Sequence, residues 1–219
     1  MPVRAVAFDF NGTLSDDEAV LCEIFVELFA EHGKPLSAQE YFDHLAGYSD
    51  PEIVHRWLGR DHPDVQAVID ERIRRYRAAV SDGHSIHEPV REAVRYAAER
   101  VPVCIVSGAM RAEIEPVVAA AGIAPLLRGI VAADDVVHGK PHPEGYLTAL
   151  PLLGGPDPGD VLVVEDTEAG IASAAAAGMR VLGKRGTLDP HRLAGAEEIV
   201  DAIDVELMRR YLGEAARIS

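Results

Sequence analysis

In the stretch Arg4-Ala5-Val6-Ala7-Phe8-Asp9-Phe10-Asn11-Gly12-Thr13-Leu14, an apolar run of strand type ends on a carboxylate and passes straight into a Gly-Thr turn. That order lifts Asp9 out of a sheet edge, where it can act as a nucleophile or hold a metal. Three later segments carry polar residues in similar places. Ser107-Gly108 follows Val103-Cys104-Ile105-Val106, Glu165-Asp166 follows Val161-Leu162-Val163-Val164, and Lys140 lies in the loop Gly139-Lys140-Pro141-His142-Pro143. Asp9, Glu165 and Asp166 would bring up to three carboxylates together, and like charges that close repel unless a cation separates them. Oxygen-only ligands select a hard cation, for which Mg²⁺ is the natural choice beside phosphate. Ser107, with the amides beside it, can hold the oxygens of a transferring phosphoryl group, and Lys140 can neutralise their charge.

These residues can meet only if the elements between them form a parallel sheet. Strand-like runs lie at Ala5–Phe10, Val101–Val106, Gly129–Ala132, Val161–Val164 and Arg180–Leu182; they are short, apolar and without strict alternation, as buried parallel strands are. Helical patterns at Arg111–Ala121, Pro143–Leu153 and Glu168–Ala177 separate the later ones. The pattern is α/β: a Rossmann-like, doubly wound parallel sheet, with ligands outside the carboxyl ends of the strands. Between the first two strands the pattern is helical instead, at Asp17–Glu31, Ala38–Leu45, Pro51–Leu58, Asp64–Val80 and Pro89–Arg100. One helix suffices for a crossover, so residues 15–84 are expected to form a separate helical domain over the strand ends, with 1–14 and 85–219 as the core. Asp204–Ala215 is expected to close the fold as a helix.

Bulk properties narrow the partners. The 219 residues are 48% hydrophobic with a formal net charge of −15, which argues against a nucleic-acid backbone as partner. Cys22 and Cys104 sit in apolar stretches and read as buried inert thiols, in keeping with a reducing cytoplasm. From the start of the sequence no signal peptide is expected, and no apolar run is long enough to span a membrane. The expectation is a cytoplasmic protein, monomer or homodimer, acting on a small phosphorylated metabolite and on neither nucleic acid nor membrane. The histidines suggest no zinc site: His138 and His142 are four apart, but Gly139 and Pro141 preclude the helix that would align them.

Four separated motifs in this order resemble the haloacid-dehalogenase (HAD)-like hydrolase superfamily, from Ala5 to about Gly186, in the subgroup with a helical cap after the first strand. That subgroup includes phosphoglycolate-phosphatase-like and β-phosphoglucomutase-like proteins. The resemblance implies Asp9 as the nucleophile that forms an aspartyl-phosphate. It implies Ser107 and Gly108, with Thr13, as phosphate binders, Lys140 as charge stabiliser, and Asp9, Glu165, Asp166 and the Asn11 carbonyl as Mg²⁺ ligands. The loop Leu45-Ala46-Gly47-Tyr48-Ser49-Asp50 resembles the cap loop that faces the substrate; Gly47, Tyr48 and Ser49, with His44, His55 or Arg56 nearby, would contact its non-reacting part. Segments near Ser15–Asp17 and Asp82–Ser85 are plausible hinges, with Gly83 supplying flexibility.

One position departs from the family. Two residues after the nucleophile, where these phosphatases carry an aspartate that protonates the leaving alcohol and then activates water, this chain has Asn11. An amide can donate a hydrogen bond, and its backbone carbonyl can still ligate metal, but it cannot exchange a proton at neutral pH. Asp16, Asp17 or Glu18 could replace it, although carboxylates there also suit a helix start. A good leaving group, an introduced aspartate-to-asparagine change or deamidation at Asn-Gly would equally account for it. The activity implied is a Mg²⁺-dependent phosphatase; a phosphosugar mutase and a low-turnover phosphate-ligand binding or regulatory protein are the alternatives.

Overall fold

The computed structural model describes residues 2–213. Its centre is a six-stranded, all-parallel sheet: β1 (Ala5–Phe8), β2 (Val103–Val106), β3 (Gly129–Val131), β4 (Val161–Glu165), β5 (Arg180–Lys184) and β6 (Glu198–Val200). The strands lie in the order β3-β2-β1-β4-β5-β6, so chain direction across the sheet reverses between β1 and β4. A crevice opens outside the carboxyl ends at such a reversal. Ala7 pairs with Cys104 on one side and with Val163 on the other, which sets Asp9 beside Glu165.

Alternation along each strand divides the core. Val6, Phe8, Val103, Ile105, Leu162 and Val164 belong to one buried cluster; Ala5, Ala7, Cys104, Val106, Val161 and Val163 belong to the other. The first face is covered by α5 (Glu88–Ala98), α6 (Arg111–Ala120) and α9 (Val205–Leu212), the second by α7 (Glu144–Leu152) and α8 (Glu168–Ala176). With both faces covered, β1 and β2 are apolar at every position and β4 is apolar up to Glu165, which is why they read as unbroken runs. Both cysteines are free and buried, and burial pushes the Cys104 thiol up to about 12.

Helices α1 (Glu18–Glu31), α2 (Ala38–His44), α3 (Asp50–Leu58) and α4 (Val65–Val80) lie between β1 and α5. The first three share an aromatic seam: Phe25 lies 5.4 Å from Phe29 and 5.9 Å from Tyr41, and Phe29 stacks at 6.4 Å on Trp57. A capping box at Ser37 and Glu40 starts α2. The chain enters and leaves these helices side by side, with the Ser15 hydroxyl donating to Ser85 Oγ at 2.8 Å and the Asp16 amide to the Ser85 carbonyl at 2.8 Å. Gly83 there is required by close packing: a Cβ would stand 2.6 Å from the Ala121 nitrogen.

Two features differ from the sequence reading. A sixth strand, β6, lies in the mixed region after Gly186, too short to declare itself. Several elements also end a residue or two inside the expected limits; β1 stops at Phe8 and so releases Phe10 into the turn. The expected end of the last helix at Ala215 falls outside the described residues. Among these residues no helix is long and apolar enough to cross a membrane.

Candidate active site

The sheet delivers three carboxylates to one point. Asp9 follows β1 and its amide donates to the Val164 carbonyl at 2.9 Å; Glu165 ends β4 and Asp166 comes next. All three are buried, and each offers an oxygen within 4.8 Å of the others. Lys140 reaches in from its loop, donating to Glu165 Oε1 at 2.6 Å, to the Val106 carbonyl at 3.1 Å and to Asp9 Oδ1. Burial raises Asp9 well above the usual carboxylate range, and the Glu165 and Asp166 charges add to that against the opposing pull of Lys140. Burial works against the Lys140 charge too, but Asp9 and Glu165 outweigh it and hold the ammonium firmly protonated. Burial and the Glu165 charge push Asp166 up to about 7.

Hydroxyls and amides fix these carboxylates. Glu165 accepts from Tyr146 at 3.2 Å, from the Asp166 and Thr167 amides at 3.0 and 3.1 Å, and from the Thr167 hydroxyl at 3.0 Å. Asp166 accepts from Thr13 Oγ1 at 3.0 Å and from Thr187. Gly12 has φ +68°, and a Cβ there would stand 2.0 Å from Asp166 Oδ2, so only glycine makes this turn. A Cβ at Gly170 would stand 1.7 Å from Glu165 Oε1. Three carboxylates against one lysine form an oxygen-only donor set with surplus negative charge, which fits a hard divalent cation.

Above this floor is a cavity of about 560 Å³, lined by Asp9, Asn11, Glu18, Ser107, Gly108, Lys140 and Asp166 and, from the helical insertion, by Gly47, Tyr48 and Ser49 among others. Thus four segments distant in sequence do converge, and the Gly47-Tyr48-Ser49 loop faces the same space. His44, His55 and Arg56 do not line it; the Arg56 guanidinium instead sits 3.9 Å over the Tyr48 ring. Ser107 Oγ accepts from the Ala109 amide at 3.0 Å and keeps its proton free to donate. The Thr13 hydroxyl is turned to Asp166, and Thr13 does not line the cavity. Another cleft of about 570 Å³, beside α8, is lined by none of these groups.

Asn11 is held by its own amide. Its Nδ2 donates to Asp17 Oδ2 at 3.0 Å and to the Tyr76 hydroxyl at 3.1 Å, while Tyr76 donates to the same Asp17 oxygen. Asp17 Oδ1 accepts from the Gly12 amide at 3.2 Å, and the residue is fully buried behind Asn11. Asp16 points outward to His87 at 3.2 Å. Glu18, the first residue of α1, lines the cavity and accepts from the Tyr41 hydroxyl at 2.9 Å. Burial, then the Asp17 charge, push Glu18 up to about 7, although the Tyr41 hydrogen bond opposes this.

Two clusters went unseen in the sequence. Arg72 on α4 is buried between Asp50, at the start of α3, and Glu113 on α6, tying these three helices together. His138 and His142 do come together: the loop, rather than a helix, sets their rings 4.6 Å apart beside Glu144, which accepts from His138 Nδ1 at 2.8 Å. Gly139 and Pro141 do preclude a helix there, and the turn that replaces it brings the two rings together. No sequence signal marked the Thr187, Tyr76 and Tyr146 hydroxyls as partners of these carboxylates.

The haloacid dehalogenase-like hydrolase family matches residues 3–178. Validoxylamine A 7'-phosphate phosphatase from Streptomyces hygroscopicus subsp. limoneus is 30% identical over 219 aligned positions, covering 90% of this chain and 92% of that protein. Phosphoglycolate phosphatase from Yersinia pseudotuberculosis is 29% identical, covering 83% and 80%. Among solved structures, a mutant of CbbY from Rhodobacter sphaeroides in complex with xylulose-(1,5)bisphosphate superposes with a TM-score of 0.82 at 24% identity, covering 94% and 96% of the two chains. That likeness speaks for the fold.

Proposed function

This chain belongs to the haloacid dehalogenase-like hydrolases, and on that premise we propose that it is a Mg²⁺-dependent phosphatase of a small phosphorylated metabolite, working in the cytoplasm through an aspartyl-phosphate on Asp9. The observation that carries this reading is the meeting of Asp9, Lys140, Glu165 and Asp166 at the floor of a single cavity.

The substrate's phosphoryl group lies over Asp9, with the Ser107 hydroxyl and the Gly108 backbone donating to its oxygens. Lys140 offsets their charge and holds the Asp9 carboxylate in line. Asp9, Asp166, Glu165 and the Asn11 carbonyl are the groups that would hold the divalent cation; when bound, it neutralises phosphoryl charge and keeps Asp9 ionised. Thr13, Thr187, Tyr146 and Thr167 keep the carboxylates from turning away. The helices of segment 15–84 serve as a cap, with Gly47, Tyr48 and Ser49 closing on the leaving group and excluding water.

Phosphate release from a panel of esters, with and without Mg²⁺, tests this. Asp9→Asn should cost about 10⁴–10⁶-fold in kcat, as loss of a covalent nucleophile does. Metal-independent release, or release untouched by Asp9→Asn, would remove the proposal. A phosphosugar mutase would yield an isomerised product with no net phosphate, and a binding protein would show no Asp9-dependent turnover.

A further inference from the structure

With an amide at position 11, no carboxyl stands in the family's place for moving a proton to and from the reacting oxygens. Three carboxyls follow within the next turn, and their surroundings separate them. Asp16 is exposed and engaged with His87, outside the cavity. Asp17 is fully buried, holds the Asn11 amide, the Gly12 amide and the Tyr76 hydroxyl, and does not line the cavity. Glu18 lines it together with Asp9 and Asn11, and among the described residues its hydrogen-bond partner is a phenol from another helix, Tyr41 on α2.

On the phosphatase reading above, we infer that Glu18 is the general acid and base of this enzyme, acting on the leaving oxygen and then on water in place of the amide at position 11. In the first half-reaction the bond from Asp9 Oδ to phosphorus forms as the bond from phosphorus to the alcohol oxygen breaks, and the Glu18 carboxyl proton passes to that oxygen. In the second, the Glu18 carboxylate takes a proton from water as the water oxygen bonds phosphorus and the Asp9 Oδ–P bond breaks. Inorganic phosphate leaves, with Asp9 ionised and Glu18 protonated as at the start.

The setting suits a group that must change protonation in each cycle. Glu18 is placed among Asp17 beside it, Cys22 one turn on, Tyr41 from α2, Arg72 from α4, and Asp9 and Asp166 from the strand ends. The charges of Asp17 and Asp9 favour its protonated form and that of Arg72 opposes it. A carboxyl held near 7 by burial stands where acid–base catalysis is most efficient at neutral pH. The Asn11 amide has a different task, since it satisfies the buried Asp17 carboxylate that an aspartate at 11 would repel.

The test compares wild type, Glu18→Gln, the exchange variant Asn11→Asp/Asp17→Asn and the exchange variant carrying Glu18→Gln, on an alkyl phosphate and on 4-nitrophenyl phosphate. Gln keeps the size of Glu and can accept from Tyr41, so the fold is preserved. Glu18→Gln should lower kcat/KM for the alkyl ester by about 10²–10⁴-fold and erase the corresponding limb of its pH profile. Nitrophenolate needs little protonation, so Glu18→Gln should release it in a burst of one equivalent and then stall at hydrolysis. In the exchange background, which returns a carboxyl to position 11, Glu18→Gln should cost little. Equal losses on both esters without a burst, or an alkyl rate unmoved by Glu18→Gln, overturn the assignment while leaving the phosphatase standing. Absence of any Asp9-dependent release overturns both.

Discussion

At the floor of the cavity Lys140 lies between Asp9 and Glu165; Arg72, which lines the same cavity, lies between Asp50 and Glu113. Each place buries one cation with two carboxylates, yet their supports differ. At the floor, hydroxyls and amides from several elements hold Glu165 and Asp166, and a third carboxylate adds charge that Lys140 does not match. At Arg72 the guanidinium itself is the chief support, its Nε has no partner among the described residues, and beyond it Glu113 has the Met110 amide at 3.0 Å. The contrast teaches what each cluster is built for. At the floor, Glu165 and Asp166 keep hydrogen-bond partners besides Lys140. The Arg72 cluster is a tie between the helical insertion and α6, and it holds only while all three members are present.

The sharpest way to break the comparison is at its two cations. Lys140→Met leaves three buried carboxylates facing one another; stability should fall by about 3–5 kcal/mol, and turnover by about 10²–10³-fold. Millimolar Mg²⁺ should restore part of the lost melting temperature, because a divalent ion can stand in for the missing charge at this floor. A melting temperature indifferent to Mg²⁺ would mean that the carboxylates do not form a cation site.

Arg72→Met should cost a similar about 3–5 kcal/mol with no recovery in Mg²⁺, and it should raise KM more than it lowers kcat. The pairing with apolar replacements separates the clusters further. Asp50→Leu and Glu113→Leu added to Arg72→Met should recover most of the stability, since a buried ion cluster can be exchanged for packed apolar groups. Failure to recover would show that Arg72 does more than tie helices together.

Much of the floor was legible because its residues sit at strand ends, where a polar side chain directly after a buried apolar run emerges at the sheet's ligand-facing edge. Asp9, Ser107, Glu165 and Asp166 announce themselves in this way, and the crossover pattern sets them in one sheet. The supports were not legible. Tyr41, Tyr76 and Tyr146 occupy buried helical positions that read simply as core, and only tertiary contact shows their hydroxyls on carboxylates of other segments. Arg72 lies on an amphipathic helix beside Glu71, Arg74 and Arg75, so nothing local marks it as the buried one. For Thr13 the local pattern left the partner open, because a threonine after Asp-x-Asn-Gly fits a phosphate as well as it fits a neighbouring carboxylate. Its partner Asp166 lies far along the chain. Local pattern shows where polar groups emerge, whereas their partners depend on how distant segments pack.

Glu18 stands between the two clusters, feeling the Asp9 charge from one and the Arg72 charge from the other, without a cation of its own. That leaves it a readout that needs no catalysis. Burial raises the group from 4.5 to about 7, so its contribution to stability is complete below pH 4.5 and is lost as pH rises through 7. Glu18→Gln cannot ionise and does not suffer that loss. Relative to wild type, the variant should therefore gain stability steadily from pH 4.5 to 7 and level off above, by on the order of 1–2 kcal/mol once partial exposure is allowed for. Thermal melts across that range measure it directly. A gap that stays flat, or that closes as pH rises, would place Glu18 with the ordinary solvated carboxylates, and the contrast between the clusters would then owe nothing to the residue between them.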